Sequence, residues 1–446
     1  MLEVTLCALH LGLFIAVVYY VVHHVREGWN ILSVFLIFFA LQYLVVPLLF
    51  ILNDTLFFLE FPPLDLRVNY HGLEKFYSFE SFVVVAIFLS FLFAGVWAVK
   101  ERGGDVYQLE ERTFTLFRQK VSWVLMIGLF LALLSFVSLF LYASAFGGME
   151  RAIEVSNIVR SGFGKDVWVN PQYVFTSRFI PFSLLSIILF FLLQNRRTLL
   201  PWLMLYLALG VAIFSRFVLF KSKQAIIALA LLYLFYLSLK NRKSYLNVFV
   251  IFFLIAVFLI PGLETFLDTG KFALPEMNSF IQQLLNMFVF FNFDQVSLEF
   301  ALNKTYDFFY FEDFLSGIRG SYVPESWLTF LDQSTMLYNT YNFMGEEWMT
   351  VPPGVVAFGY YNLGIVGVVI VAFGTGFLIR KLDLFFQRNI AFAPKLMIVY
   401  AFVMTQAFTW VRTGIPKFAF YNTTITVLLM IMLIGFTRRV VHRGEW

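Results

Sequence analysis

The run WVLMIGLFLALLSFVSLFLYAS (residues 123–144) carries no charged side chain, and the chain repeats runs of this kind from end to end. About 20 apolar residues in a helix cross the hydrocarbon core of a bilayer. In lipid every backbone polar group must be satisfied internally, which leaves helices or a closed barrel. A barrel strand alternates apolar and polar residues over about ten positions, and these runs do not alternate. Of all residues 60% are hydrophobic and 13% charged, against about 25% charged in a soluble domain. The expected fold class is therefore an all-α polytopic membrane protein in one integral membrane domain, 1–446. Eleven spans are expected, near 2–22, 30–52, 80–99, 121–146, 173–194, 199–215, 224–239, 246–263, 354–378, 396–411 and 418–436.

Loop charges set the orientation. With the N-terminus outside, the inner segments are 23–29, 100–120, 195–198, 240–245, 379–395 and 437–446, and they hold 18 of the 32 Lys and Arg residues. Such a surplus marks the cytoplasmic side, so the C-terminus is expected inside. The first run has no basic segment ahead of it and reads as a first span rather than a cleaved signal peptide. The long segment 264–353 then lies outside as a large periplasmic loop of short helices between spans 8 and 9. It carries twelve acidic and three basic residues and many aromatics. Cys7 stands alone, so no disulfide forms within one chain, and the five histidines form no metal-ligand pattern. No nucleotide-binding motif is present, and nothing points to nucleic acid.

The cations that remain outside are the informative ones. Arg151 and Arg160 lie in 147–172, Arg178 in TSRFIPF (176–182), Arg216, Lys221 and Lys223 in FSRFVLFKSKQAIIALALLYLF (214–235), and Arg412 and Lys417 in TWVRTGIPK (409–417). Charge within apolar sequence costs about 2.5 kcal/mol or more, so such residues usually face a cavity or a partner. A long basic side chain also snorkels to the nearest headgroups. Converging from four segments, however, these cations would form an outward-facing pocket for phosphate, which Arg holds as a fork and Lys as a point charge. The loop supplies carboxylates for general-base work on a hydroxyl. Glu346 and Glu347 precede the Pro-Pro-Gly break at 352–354 and are the favoured pair. The other loop candidates include Asp294, Glu299 and Asp307. Tyr338, Tyr341 and Trp348 suit sugar stacking as well as interface anchoring.

Several of these stretches resemble the bacterial O-antigen (Wzy-type) polymerases, in particular the enterobacterial common antigen branch of these oligosaccharide repeat-unit polymerases. They are SRFIPF with Arg178, FKSKQAIIALALLYLF with Lys223 where members often have Arg, TWVRTGIPKF with Arg412, VPESW, and TVPPGVVAFGYYNLGIVG. Arg151 to Gly162 also fits an Arg-x10-Gly pattern of some members. The resemblance implies a GT-C-like helical architecture in the bacterial inner membrane, with an active site facing the periplasm. It implies a metal-independent glycosyltransferase that needs no cofactor and joins undecaprenyl-pyrophosphate-linked glycans by inverting transfer of the growing chain onto an incoming unit. Its partners would be those lipid-linked glycans, membrane lipids and a chain-length regulator. Arg178, Lys223 and Arg412, with Glu346 or Glu347, would be catalytic. Arg151, Arg160, Arg216, Lys221, Arg319, Tyr341 and Lys417 would bind substrate. Two alternatives stay open: an O-antigen ligase, which needs the same pyrophosphate pocket, and a lipid-linked oligosaccharide flippase or transporter.

Overall fold

The computed structural model describes residues 2–25, 28–56, 76–100, 106–116, 119–156, 158, 167–193, 196–215, 219, 223–245, 247–248, 251, 292–303, 307–311, 335–344, 351–391, 393–414 and 423–441. The described chain is mostly helical, and seven of its helical segments are long and apolar enough to cross a membrane: Glu3–Val25, Ile31–Leu52, Phe79–Ala98, Trp123–Ser144, Pro171–Leu192, Gly354–Ile390 and Leu396–Thr413. The expected sixth and seventh spans appear as shorter apolar helices, and most of the expected eighth span, 246–263, falls outside the described residues. The chain folds as two compact units.

The first unit comprises Met1–Glu101, Leu237–Leu384 and Val403–Tyr421. Helix α1 (Leu2–Val25) leads to α2 (Ile31–Ala40), whose N-terminus is held twice. Asn30 accepts the Ser33 N–H at 2.7 Å, and the buried Asp383 carboxylate accepts from Ile31 N–H at 2.9 Å and Leu32 N–H at 3.3 Å. A buried carboxylate suits this place because the first helical N–H groups lack intrahelical partners and carry the positive end of the dipole. Beyond α2 the backbone widens into one π turn, Leu41–Val45, before α3 (Val46–Leu56). The cause is Pro47, which has no N–H for the carbonyl of Tyr43 and whose ring crowds it.

Helix α4 (Phe79–Ala98) starts in a capping box of Ser78 and Ser81. It packs against the helix over Gly354–Ile390 by close backbone approach. A Cβ on Gly95 would meet the Phe373 carbonyl, and one on Gly376 would meet the Leu92 carbonyl. Small residues let membrane helices approach in this way.

That helix is not the continuous span expected from its hydropathy. At Leu363 (φ −150°, ψ 29°) and Gly364 (φ 58°, ψ −141°) it breaks. A Cβ on Gly359 would lie 2.9 Å from Val368 Cα, and one on Gly367 would overlap the Gly359 carbonyl. In an unbroken helix residues eight apart are separated by about 12 Å. The chain therefore doubles back, with a short limb (354–362) against a long limb (365–390). Gly364 fits because its backbone angles are open only to glycine. The carbonyls at the end of the short limb find donors in the segment 307–311. The Phe309 N–H donates to Tyr361 O and the Tyr310 N–H to Asn362 O, both at 3.2 Å, while the Phe311 N–H donates to Asn362 Oδ1.

Two further helices of this unit frame the short limb: α5 (Asn292–Asn303) and α6 (Thr335–Met344). The buried Asn339 side chain donates to Ser297 Oγ at 2.9 Å and Val351 O at 3.0 Å, and it accepts from Tyr361 Oη at 3.1 Å. Thr340 Oγ1 accepts the Val351 N–H at 2.8 Å. These bonds fix the approach of the chain to Gly354.

The second unit comprises Arg102–Tyr236, Phe385–Phe402 and Asn422–Trp446. It departs from an all-helical fold in two short antiparallel pairs. Strand β1 (Val106–Glu111) pairs with β4 (Phe436–Val441), and β2 (Thr113–Leu116) with β3 (Gln119–Ser122). The β1–β4 ladder brings 106–111 and 436–441 side by side. From β3 the chain enters α7 (Trp123–Ser144), capped by Ser122, and the short α8 (Met149–Glu154) follows. A 3-10 segment, Pro171–Phe179, lies along α7. Ser135 Oγ donates to Phe179 O at 3.2 Å, and Asn170 donates to Ser144 O at 3.0 Å. Ile180, Phe146, Tyr142 and Ala152 share one buried apolar cluster there.

Candidate functional site

The most distinctive polar constellation of the first unit gathers at the N-terminus of the short limb. Four elements bring it together: the π turn supplies Tyr43, α5 supplies Asp294, the Pro-Pro-Gly break supplies Gly354, and the helix Leu396–Thr413 supplies Arg412 in its last turn. Tyr43 is fully buried and Asp294 is 2% exposed. Gly354 has φ +77°, and a Cβ there would overlap Tyr43 Oη and stand 3.0 Å from Asp294 Cγ. Tyr43 Oη accepts the Val356 N–H at 3.3 Å. Just past Arg412, a Cβ on Gly414 would lie 2.7 Å from the Gly354 carbonyl. The phenol, the carboxylate and the helix start thus pack with no side chain between them.

Neither Asp294 oxygen has a hydrogen-bond partner among the described residues. Burial pushes its carboxyl well above the usual carboxylate range, and the half-buried Arg412 guanidinium is the charge that pulls it back. The N-terminus of the short limb adds favourable partial charge.

The height of this site follows from helix rise. Tyr43 is twelve residues above Ile31, about 18 Å along the span. Gly364 is nineteen residues above Asp383, about 28 Å, and the short limb returns about 13 Å from there, which puts Gly354 about 15 Å above Asp383. Asp383 and Ile31 are hydrogen-bonded, so the two rulers share an origin and agree. The site lies within the length of the spans, some 10 Å or more below the break.

A second buried carboxylate, Glu299, sits five residues further along α5. It is 1% exposed and accepts from Ser78 Oγ and Gln295 Nε2, both at 3.2 Å, beside the N-terminus of α4. Burial raises its carboxyl to about 7, against the bonds from Ser81 and Ser78 that favour the ionised form, while Glu80 adds a like charge. Among the described residues no group of three or more His, Cys, Asp or Glu side chains is placed to hold a metal.

The other expected site residues fall as follows. Arg178 lies exposed in the last turn of the 3-10 segment of the second unit, next to Phe179, whose carbonyl accepts from Ser135 of α7. Arg151 is exposed on α8. Residues of α8 and of the 3-10 segment pack on the same apolar cluster, so these two short elements carry both arginines on one small core. Lys223 opens the helix Lys223–Asn241, and its side chain lies outside the described set. Tyr341 is exposed on α6. Arg160, Arg216, Lys221, Arg319, Glu346, Glu347 and Lys417 lie outside the described residues, as does Gly162.

Sequence reasoning counted Asp294 only as one of many loop acids and passed over Tyr43. Both left a signal. Asp294 stands in FNFDQVSLEF, where acids at 294 and 299 are embedded among apolar residues. Tyr43 precedes a mid-span proline by four residues, the spacing that opens a π turn. No family model, no curated protein and no solved structure matches the chain.

Proposed function

We propose that the chain joins lipid-pyrophosphate-linked oligosaccharide units into a polysaccharide, as the resemblance of its short motifs to repeat-unit polymerases implies. The observation that carries this reading is Arg412 in the last turn of a membrane helix, two residues before the Gly414 that packs on the Gly354 end of a broken helix, where Asp294 is buried. A charge at that depth is costly unless it serves a polar ligand, and the guanidinium fork fits phosphate oxygens. In the reaction, an acceptor hydroxyl oxygen bonds to the anomeric carbon of the donor. The bond from that carbon to the diphosphate oxygen breaks, and the electron pair leaves with the diphosphate. The hydroxyl proton passes to a carboxylate of segment 264–353. Arg412 stabilises the charge growing on the leaving group.

Deletion of the gene with complementation by wild type or Arg412→Ala tests the reading. Wild type restores a ladder of long glycans, and Arg412→Ala leaves single repeats on the core. Unchanged long chains with Arg412→Ala would remove that residue from the mechanism. Loss of all repeats from the core would favour a ligase.

One observation favours a second reading. A broken helix whose N-terminus meets a buried polar site, with an arginine nearby, is the arrangement in which transporters bind anionic substrates. Purified chain in vesicles with lipid-linked repeat units separates the two readings: polymer forms without any other protein if the chain is the enzyme, and units only change leaflet if it is a transporter.

A further inference from the structure

The short limb begins against an acid, and the protonation of that acid decides what the site can hold. Asp294 is 2% exposed, and its Cγ stands 3.0 Å from where a Cβ on Gly354 would be. Neither of its oxygens has a hydrogen-bond partner among the described residues. An ionised carboxylate is costly in such a place with no donor bonded to it, and the group keeps its proton instead. Burial acts in that direction on Asp294, against the opposing charge of Arg412. A protonated carboxyl is a hydrogen-bond donor through its O–H.

The rest of the site donates as well. The first four N–H positions of a helix lack intrahelical partners. Here Pro353 has no N–H, Val356 donates to Tyr43 Oη at 3.3 Å, and the helix leaves those of Gly354 and Val355. Tyr43 accepts the Val356 bond and keeps its own O–H. The limb is nine residues long, 354–362, and its dipole puts positive partial charge at the same end. Donors from α5, the π turn and the limb thus stand at one place. We propose that the Gly354 end of the short limb binds a phosphate or diphosphate, and that Asp294 donates its O–H to an oxygen of that anion as a neutral acid. This inference rests on the lipid-diphosphate reading above and deepens it in one respect. Asp294 holds the leaving group, so the hydroxyl proton passes to another carboxylate of segment 264–353. The bond from Asp294 strengthens as charge grows on the departing diphosphate.

The surroundings of Asp294 agree with the neutral form. Tyr43 is not a cation. Glu299, on the same helix, is engaged with Ser78 and Gln295. Tyr361 of the limb donates to Asn339, and Tyr338 of α6 lies edge-on to it. Arg412, from the helix Leu396–Thr413, is the positive charge that opposes burial, and the same charge attracts an anion. An anion in place adds negative charge beside the carboxyl and holds its proton more firmly.

The test uses the full chain in detergent, with inorganic pyrophosphate as probe and titration calorimetry at neutral pH. Asp294→Asn keeps the shape and a neutral donor, and binds within about threefold of wild type. Asp294→Leu keeps the bulk without the donor, and binds at least about tenfold more weakly. Asn binding about tenfold more tightly than wild type would mean that an ionised carboxylate had been repelling the anion, and overturns the proposal. Leu binding like wild type overturns it too. Should the Leu variant fail to fold, infrared difference spectra decide. Wild type shows the C=O stretch of a protonated carboxyl that shifts on adding pyrophosphate and is missing in Asp294→Asn; its absence, or a band that does not move, overturns the proposal. In a second arm, a short prenyl diphosphate binds more tightly than pyrophosphate if the source is a lipid diphosphate, and equally if it is a free anion. A chain that polymerises as well with Asp294→Leu refutes this inference alone. A chain with the binding pattern and the moving band but no polymerisation refutes the function alone.

Discussion

Replacing Gly354 by alanine tests whether Tyr43, Asp294 and the start of the short limb are packed as described. Two penalties apply. The backbone of Gly354 has φ +77°, a conformation that costs an L residue about 1–2 kcal/mol. The new Cβ would overlap Tyr43 Oη and lie 2.8 Å from Asp294 Cβ, and overpacking of this kind typically costs about 1–3 kcal/mol. Together they predict a loss of about 2–5 kcal/mol. Gly374, in the long limb of the same helix, is the control. A Cβ there meets nothing within 4 Å, and alanine in an exposed helix gains up to about 1 kcal/mol. Thermal unfolding of the purified variants in one detergent is the assay. Gly354→Ala should unfold well below wild type, and Gly374→Ala at or above it. Adding Tyr43→Phe to Gly354→Ala removes the overlapping oxygen and should recover about 1 kcal/mol, read from the double-mutant cycle. If Gly354→Ala unfolds with wild type, the three groups do not meet and the candidate site loses its frame.

Glu299 titrates at about 7 in the folded chain against an ordinary value of 4.5. The folded state therefore holds the proton more tightly, and stability falls as pH rises from about 4.5 to about 7, by up to about 3 kcal/mol. Glu299→Gln should lack this slope; equal pH dependence of unfolding in the two proteins would assign it elsewhere. The β1–β4 register places Leu109 opposite Arg438. With Cys7 replaced by serine, cysteines at 109 and 438 should cross-link rapidly in membranes under mild oxidation, and cysteines at 109 and 115 should not; the reverse pattern would exclude the ribbon.

The apolar runs marked α1, α4 and α7 to within a few residues, because in lipid hydropathy and helix are nearly the same statement. Direction is a different matter. The run 354–378 has the hydropathy of one span whether or not the chain reverses at Gly364, since neither limb changes its side chains on folding back. The strands were overlooked for a related reason. β4 carries β-branched Thr437, Val440 and Val441, but a six-residue strand has meaning only beside its partner, and β1 is more than 300 residues earlier in the chain. At the candidate site, Arg412 was legible as a cation out of place. Its link to Asp294 was not, because the two are 118 positions apart and only the tertiary fold makes Asp294 different from the other loop acids. The Pro-Pro-Gly break was legible as a hinge in front of the site, whereas the need for glycine at its third position comes from Tyr43 and Asp294.

The β1–β4 ribbon has a consequence for biogenesis. Its first strand leaves the ribosome well before its second, and the 325 residues from 111 to 436 take about 20–60 s to synthesise. Throughout that time β1 is an open edge able to pair with the wrong strand. The second unit therefore cannot close until residues 436–441 have been made, and nascent chains halted before residue 436 should be the species that quality-control proteases and holdases find first.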